Sequence, residues 1–319
     1  MNNHSLSVWR EKVLFAPQKE DKIPVVWPEK KTYHKDIIVE IGFGNGQFLG
    51  LLAQNNPDSL ILGFDISLES CVRAVKKCRD ENLINVLIMK ENAKPMLREL
   101  FADNSIDKIY MNFPDPWPKR KHEIKRTLNN GFIAILAAVL KKNGYFELVT
   151  DQEWYGEQSR DLFHNSKYFT IEEFQKNPQR EFQTKYEKKW LALSRNIYRL
   201  LVQKKAFYPV TRLISGENMP HVIIEQKLPA DKIADSLMEL ENKNESALFK
   251  VKEIHRNIRS EDFLLRMVAV DDDIIQKFYI IIQKRENGWI VKLEDITQPF
   301  RTPSVKKAVS EIGRILGEL

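Results

Sequence analysis

Short apolar runs alternate with amphipathic stretches through the first two thirds of the chain. Ile37 to Ile41 is an apolar run that stops at Gly42-Phe43-Gly44-Asn45-Gly46, and Phe48 to Gln54 then has helical spacing. Leu60 to Phe64 predicts a second strand ending at Asp65, and Leu68 to Glu81 an amphipathic helix. Val86 to Lys90 predicts a third strand, followed by Asn92 and a short helix. Ile106 to Met111 is the fourth strand, Asn130 to Leu140 a helix and Gly144 to Val149 a fifth strand. Strands that alternate with helices imply a parallel, doubly wound sheet. A further strand, Ile197 to Val202, is expected to close its edge.

The pattern changes after Lys204 to Pro209. Val222 to Gln226 predicts a strand and Pro229 to Asn242 a helix. Ala247 to Ile254, Phe263 to Val270, Ile274 to Gln283 and Trp289 to Leu293 are strands with close turns, among them Asn287-Gly288, before a closing helix from Ser304 to Leu316. The expected organisation is therefore an N-terminal segment, 1–34, partly disordered, a Rossmann-like domain, 35–205, and a C-terminal α+β extension, 206–319. The segment from Phe15 to Tyr33, with its prolines and lysines, is expected to be loosely ordered.

Charge sharpens this division. Residues 1–205 carry 33 Lys and Arg against 26 Asp and Glu, whereas residues 206–319 carry 17 against 18, so the basic excess belongs to the first part. A basic excess favours polyanionic partners without proving one. No stretch approaches the ~18 apolar residues of a membrane span. The first ten residues lack the apolar run of a secretion signal. Cys71 and Cys78, seven apart on one predicted helix, are too far separated to bridge and too few for a disulfide scaffold. A reducing, cytoplasmic protein without a structural zinc site is expected.

Three constellations carry candidate chemistry. In Glu40-Ile41-Gly42-Phe43-Gly44-Asn45-Gly46, glycines after the first strand let a ligand approach the backbone, and Asp65 stands where an acid can hold ribose hydroxyls. This alone does not choose between a nicotinamide cofactor and S-adenosylmethionine. The G-x-G-x-G spacing and the acidic Glu40 favour the sulfonium ligand over a pyrophosphate. Asn92 is placed to meet an adenine edge or to cap a helix. In Phe113-Pro114-Asp115-Pro116-Trp117-Pro118-Lys119, prolines stiffen a loop at a strand's C-terminal end, where open α/β sheets bind ligands. Lys119, Arg120, Lys121, His122, Lys125 and Arg126 follow as a basic cluster that suits phosphates or is simply a solvated face. Trp117 is open to stacking on a base or to packing in the core.

Together with Leu148-Val149-Thr150-Asp151 and Thr184-Lys185-Tyr186-Glu187, these segments occur in family order over about residues 35–205, and there the chain resembles the bacterial tRNA (guanine-N7-)-methyltransferases of the TrmB type. The resemblance implies S-adenosyl-L-methionine as cofactor and tRNA as substrate, methylated at guanine N7 of position 46 in the variable loop. It implies Asp115 as the catalytic carboxylate and Glu40, Gly42, Gly44, Asp65, Asn92 and Asp115 as the cofactor pocket. Lys119, Asp151, Thr184, Lys185, Tyr186 and Glu187 would contact substrate, and Lys121, His122, Lys125 and Arg126 would bind RNA. The family usually has glutamate where Asp65 stands and aspartate where Asn92 stands. No metal is implied, and the oligomeric state is not fixed.

Two other functions compete: methylation of a different nitrogen on rRNA or DNA, and RNA binding by a domain without turnover. Asp151 and Glu187 can accept from the N1–H and 2-amino groups of guanine or simply pair with nearby cations. The C-terminal extension is either an added RNA surface or a stabilising module.

Overall fold

The computed structural model describes residues 5–27, 35–179, 187, 193, 195–214, 218–244 and 247–319. The chain divides into two compact units, one of residues 1–17 and 24–211 and one of residues 18–23 and 212–319.

The first unit is built on a seven-stranded sheet of order β3-β2-β1-β4-β5-β7-β6. Strands β1 (Ile37–Ile41), β2 (Leu60–Phe64), β3 (Val86–Met89), β4 (Ile106–Asn112) and β5 (Leu140–Thr150) run parallel. Every residue of β1 and β2 is buried, which explains why these strands are apolar on both faces apart from Glu40. On one face, α1 (Leu6–Val13), α2 (Gln47–Asn55) and α3 (Leu68–Asp80) set Val13, Leu49, Leu52, Ala74 and Cys78 against Ile38, Ile61 and Ile88. The other helices are α4 (Ala93–Leu100), α5 (Asn130–Val139) and α6 (Glu153–His164). Ser67 and Asn129 start α3 and α5 by accepting from Ser70 and Phe132 N–H groups.

The sheet is parallel and Rossmann-like, as expected, but its edge differs. Strand β7 (Tyr198–Lys204) lies inside, antiparallel to β5 and to an edge strand β6 (Phe169–Lys176). Strand β6 escapes a sequence reading because it is half exposed and carries Thr170, Glu172, Glu173 and Gln175 among its apolar residues.

The N-terminal segment also departs from expectation. Leu14 bridges Ile88, the Phe15 N–H donates to Ile88 O at 2.8 Å and the Val25 N–H to Leu100 O at 2.9 Å. Trp27 is buried, stacked on Phe101 with ring centres 4.9 Å apart and 5.2 Å from Phe15. Aromatic packing and backbone pairing at Ile88 and Leu100 hold the part of this stretch up to Trp27, and residues 28–33 of the expected loose segment lie outside the described residues.

The second unit is a six-stranded antiparallel sheet of order β8-β13-β12-β11-β10-β9. Its strands are β8 (His221–Ile224), β9 (Glu241–Asn244), β10 (Ala247–Arg256), β11 (Phe263–Asp271), β12 (Ile274–Arg285) and β13 (Gly288–Leu293). Strict alternation along β11 sends Phe263, Leu265, Met267 and Ala269 inward to a core shared with α7 (Ala230–Leu237) and α8 (Pro303–Gly317). Helix α7 ends five residues before the expected Asn242, because Glu239 turns left-handed at φ 59° and residues 241–244 join the sheet. Gly288 admits no side chain, since a Cβ there would lie 1.8 Å from Ile224 O.

Candidate active site

The glycine turn after β1 uses glycine for a physical reason. Gly42, Gly44 and Gly46 have φ of 74°, 55° and 74°, a region closed to most side chains. Gly46 caps α2, and a Cβ there would sit 3.0 Å from the Cβ of Ala74. At Gly42 and Gly44 a Cβ would meet nothing within 4 Å, so bare backbone faces open space. Asp65, at the end of β2, accepts from the Gly44 N–H and the Ser67 N–H, each at 2.9 Å. It thus ties the turn to the start of α3.

The facing loop follows β4. Phe113 donates its N–H to Val149 O at 2.7 Å, then turns left-handed at φ 50°, and Trp117 does the same at φ 46°. Left-handed backbone at a bulky residue costs about 1–3 kcal/mol and persists only where surroundings impose it. Asp115 lies between these two residues and is exposed. The loop runs into a 3-10 turn, Arg120–Lys125, that folds back over it. Lys125 Nζ lies 4.7 Å from the Trp117 ring centre, and the His122 ring meets Trp117 edge-on at 5.5 Å.

Between the turn and the loop is a cavity of about 400 Å³. Its walls include Glu40, Gly42, Gly44, Phe48, Asn112, Asp115, Asp151 and Gln152. Glu40, at 2% exposure, is presented from within β1. Among the described residues the lining includes three carboxylates and no lysine, arginine or histidine. Such a cavity favours a ligand that carries positive charge and disfavours a pyrophosphate. Phe48, Asn112 and Gln152 were not singled out from the sequence. Asn112 was within reach, because it is the last residue of β4, at the edge where ligands gather.

The structure thus brings Glu40, Gly42, Gly44, Asp115 and Asp151 to one cavity. Asp65 and Asn92 are not among its lining residues. Asn92 is exposed and caps α4 by accepting from the Lys94 N–H at 3.2 Å. Lys119, Lys121 and Lys125 are exposed and His122 is half-buried. Glu187 is buried, whereas Thr184, Lys185 and Tyr186 lie outside the described residues. Arg126 departs from the expected phosphate contact. It is buried at 8% exposure, and its guanidinium is occupied by loop carbonyls and by Gln158 of α6. No helix among the described residues is long and apolar enough to cross a membrane.

Comparison with known proteins agrees with this arrangement. A family described as "Putative methyltransferase" matches residues 34–200. A tRNA (guanine-N(7)-)-methyltransferase of Thermotoga maritima is 38% identical over 93% of this chain and 94% of its own length. Another, of Coprothermobacter proteolyticus, is 30% identical over 93% and 91%. The namesake of Alkaliphilus oremlandii is 34% identical but covers only 58% of this chain while matching 93% of itself. The C-terminal unit is therefore shared with the longer relatives, although the resemblance read from the motifs stopped at about residue 205. With the glycine turn, the proline loop and these alignments in agreement, the chain belongs to the tRNA (guanine-N(7)-)-methyltransferase family.

Proposed function

We propose that the chain transfers the methyl group of S-adenosylmethionine to N7 of a guanine in tRNA. The observation that carries this reading is the set of three carboxylates, Glu40, Asp115 and Asp151, that line the cavity beside a bare glycine backbone. The residues fit the donor: Glu40 suits its ammonium, the open backbone at Gly42 and Gly44 allows close approach, and the carboxylates favour a sulfonium. When bound, the donor supplies an electrophilic methyl group.

Guanine N7 has an in-plane lone pair, so no base is needed to create the nucleophile. The protein must hold N7 in line with the methyl group and exclude water, and positioning of this kind supplies up to ~7–11 kcal/mol of a barrier. Positive charge develops on the purine during transfer, and the Asp115 carboxylate, fixed at the cavity wall, stabilises it. Asp151 and Glu187 accept from the N1–H and 2-amino groups that distinguish guanine from adenine. Asp65 acts on the donor through Gly44, and its remaining lone pairs are available to ribose hydroxyls. Asn92 keeps its amide N–H donors for the adenine side.

Lys119, Lys121, His122 and Lys125 hold phosphates, which positions the RNA without reading its sequence. The target base swings out of the folded tRNA to reach the cavity. The variable-loop guanine is the proposed target, and the enzyme works in the cytoplasm with its tRNA. The test is methyl transfer from radiolabelled S-adenosylmethionine to unmodified tRNA, followed by digestion and nucleoside identification. Label in N7-methylguanosine supports the proposal. Label in another nucleoside, or in rRNA alone, contradicts it.

A further inference from the structure

Arg126 belongs to the basic cluster by sequence and to the interior by structure. Its three guanidinium nitrogens are all engaged. Nε lies 3.2 Å from Pro116 O and 3.3 Å from Trp117 O, and Nη2 lies 3.1 Å from Trp117 O. Nη1 donates to Gln158 Oε1 at 3.0 Å and to Glu123 Oε1 at 3.2 Å. The guanidinium also lies over the Trp154 ring, 5.0 Å from its centre. Its own N–H donates to Glu123 O, closing the 3-10 turn.

These partners come from three places: the proline loop, the basic turn, and helix α6, which begins shortly after Asp151. The carbonyls that Arg126 receives belong to the two residues that follow Asp115. One of them, Trp117, is held in a left-handed conformation that an aromatic residue does not adopt unforced. A buried fork of donors aimed at that residue's carbonyl is the restraint its backbone needs. Lysine, with a point charge on a flexible stem, cannot reproduce the fork.

We infer that Arg126 is a positioning residue: it fixes the Phe113–Trp117 loop, and with it the Asp115 carboxylate, to α6, rather than contacting RNA. This rests on the proposal that Asp115 acts beside the reacting base. Because the same side chain also bonds the basic turn through Glu123, RNA held on Lys119, Lys121 and Lys125 sits on the same framework as Asp115.

The experiment compares wild type with Arg126→Lys, and with Gln158→Leu, which removes one partner and keeps the charge. Hydrogen exchange followed by mass spectrometry reads the loop directly and needs no substrate. The expected result for Arg126→Lys is at least tenfold faster exchange in peptides covering 113–126, with unchanged exchange in β1 and β2. Under single-turnover conditions the rate falls about 30-fold, while the tRNA dissociation constant and its salt dependence stay within twofold of wild type. Gln158→Leu gives the same pattern at smaller amplitude, and it carries the test if Arg126→Lys does not fold. Unchanged exchange in both variants overturns the inference. So does weaker tRNA binding with a salt slope lower by roughly one unit and an unaffected single-turnover rate, the signature of a phosphate contact. Absence of tRNA methylation by wild type would sink the proposed function, while the exchange result would still decide the clamp.

Discussion

The two walls of the cavity solve one geometric problem in opposite ways. Both are loops leaving the C-terminal ends of neighbouring strands, β1 and β4, and both require left-handed backbone. The first places glycine at each such position, where the conformation carries no steric penalty. The second places Phe113 and Trp117 there, and the surrounding structure enforces it through Arg126, Val149 and the prolines. The glycine wall gains bare backbone against which a ligand can lie. The proline wall gains a stiff backbone that presents the Asp115 carboxylate. The difference teaches that the donor side is built for close approach and the substrate side for fixed placement.

The comparison breaks most severely with Gly42→Val. A β-branched residue at φ 74° is strained, and its methyl groups would project into the open space beside the turn. Donor affinity is expected to fall about 100-fold, roughly 3 kcal/mol, as measured by titration calorimetry. Affinity within a factor of three would mean that the turn does not face the donor.

A second effect tests the helix behind the glycine wall. Burial, and then the Asp65 charge, pushes the Cys71 thiol up from 9.0 to about 11. Between these values the unfolded chain releases this proton before the folded one does. Stability is therefore lost as pH rises from about 9 to 11, by ~2–3 kcal/mol at most. Urea unfolding of wild type against Cys71→Ala at pH 8 and pH 11 should show the alanine variant gaining on wild type at the higher pH. An unchanged difference contradicts the assignment.

A smaller pair sharpens the contrast itself. Gly44→Ala imposes a left-handed alanine with free space around its Cβ and is expected to cost about 1–2 kcal/mol of stability. Phe113→Gly relieves a similar strain, so its stability loss should be smaller than removal of a partly buried aromatic ring would otherwise give. Its rate should nevertheless fall, because the freed loop no longer fixes Asp115. Equal rates with a large stability loss would reverse the interpretation. Smallest of all, Lys121→Ala should lower the salt slope of tRNA binding by roughly one unit and leave the rate at saturating tRNA unchanged.

Much of this was legible in the sequence, for identifiable reasons. Apolar runs marked β1, β2 and β3 because both faces are buried, and apolar segments separated by close turns marked β11 and β12. Glycine announces its own conformation, so the donor wall was readable. The left-handed state of Phe113 and Trp117 was not, since nothing local prefers it: Val149 holds the first and Arg126 the second, both from outside the loop. Arg126 itself looked like its neighbours Lys121 and Lys125, and only burial separates them. Strand β6 and helix α6 were missed because their mixed polar sequence matches no clean period. The order of β7 and β6 is a matter of tertiary pairing that periodicity cannot contain.

The most direct test is the single-turnover rate of Asp115→Asn on unmodified tRNA, at saturating donor and saturating RNA. Asparagine keeps the shape of the side chain and removes its charge. If a carboxylate on the proline wall stabilises the charge that develops on guanine, the rate at saturating donor should fall by about 10²–10³-fold. A rate within threefold of wild type would contradict the account and leave the proline loop a scaffold without a direct part in the transfer.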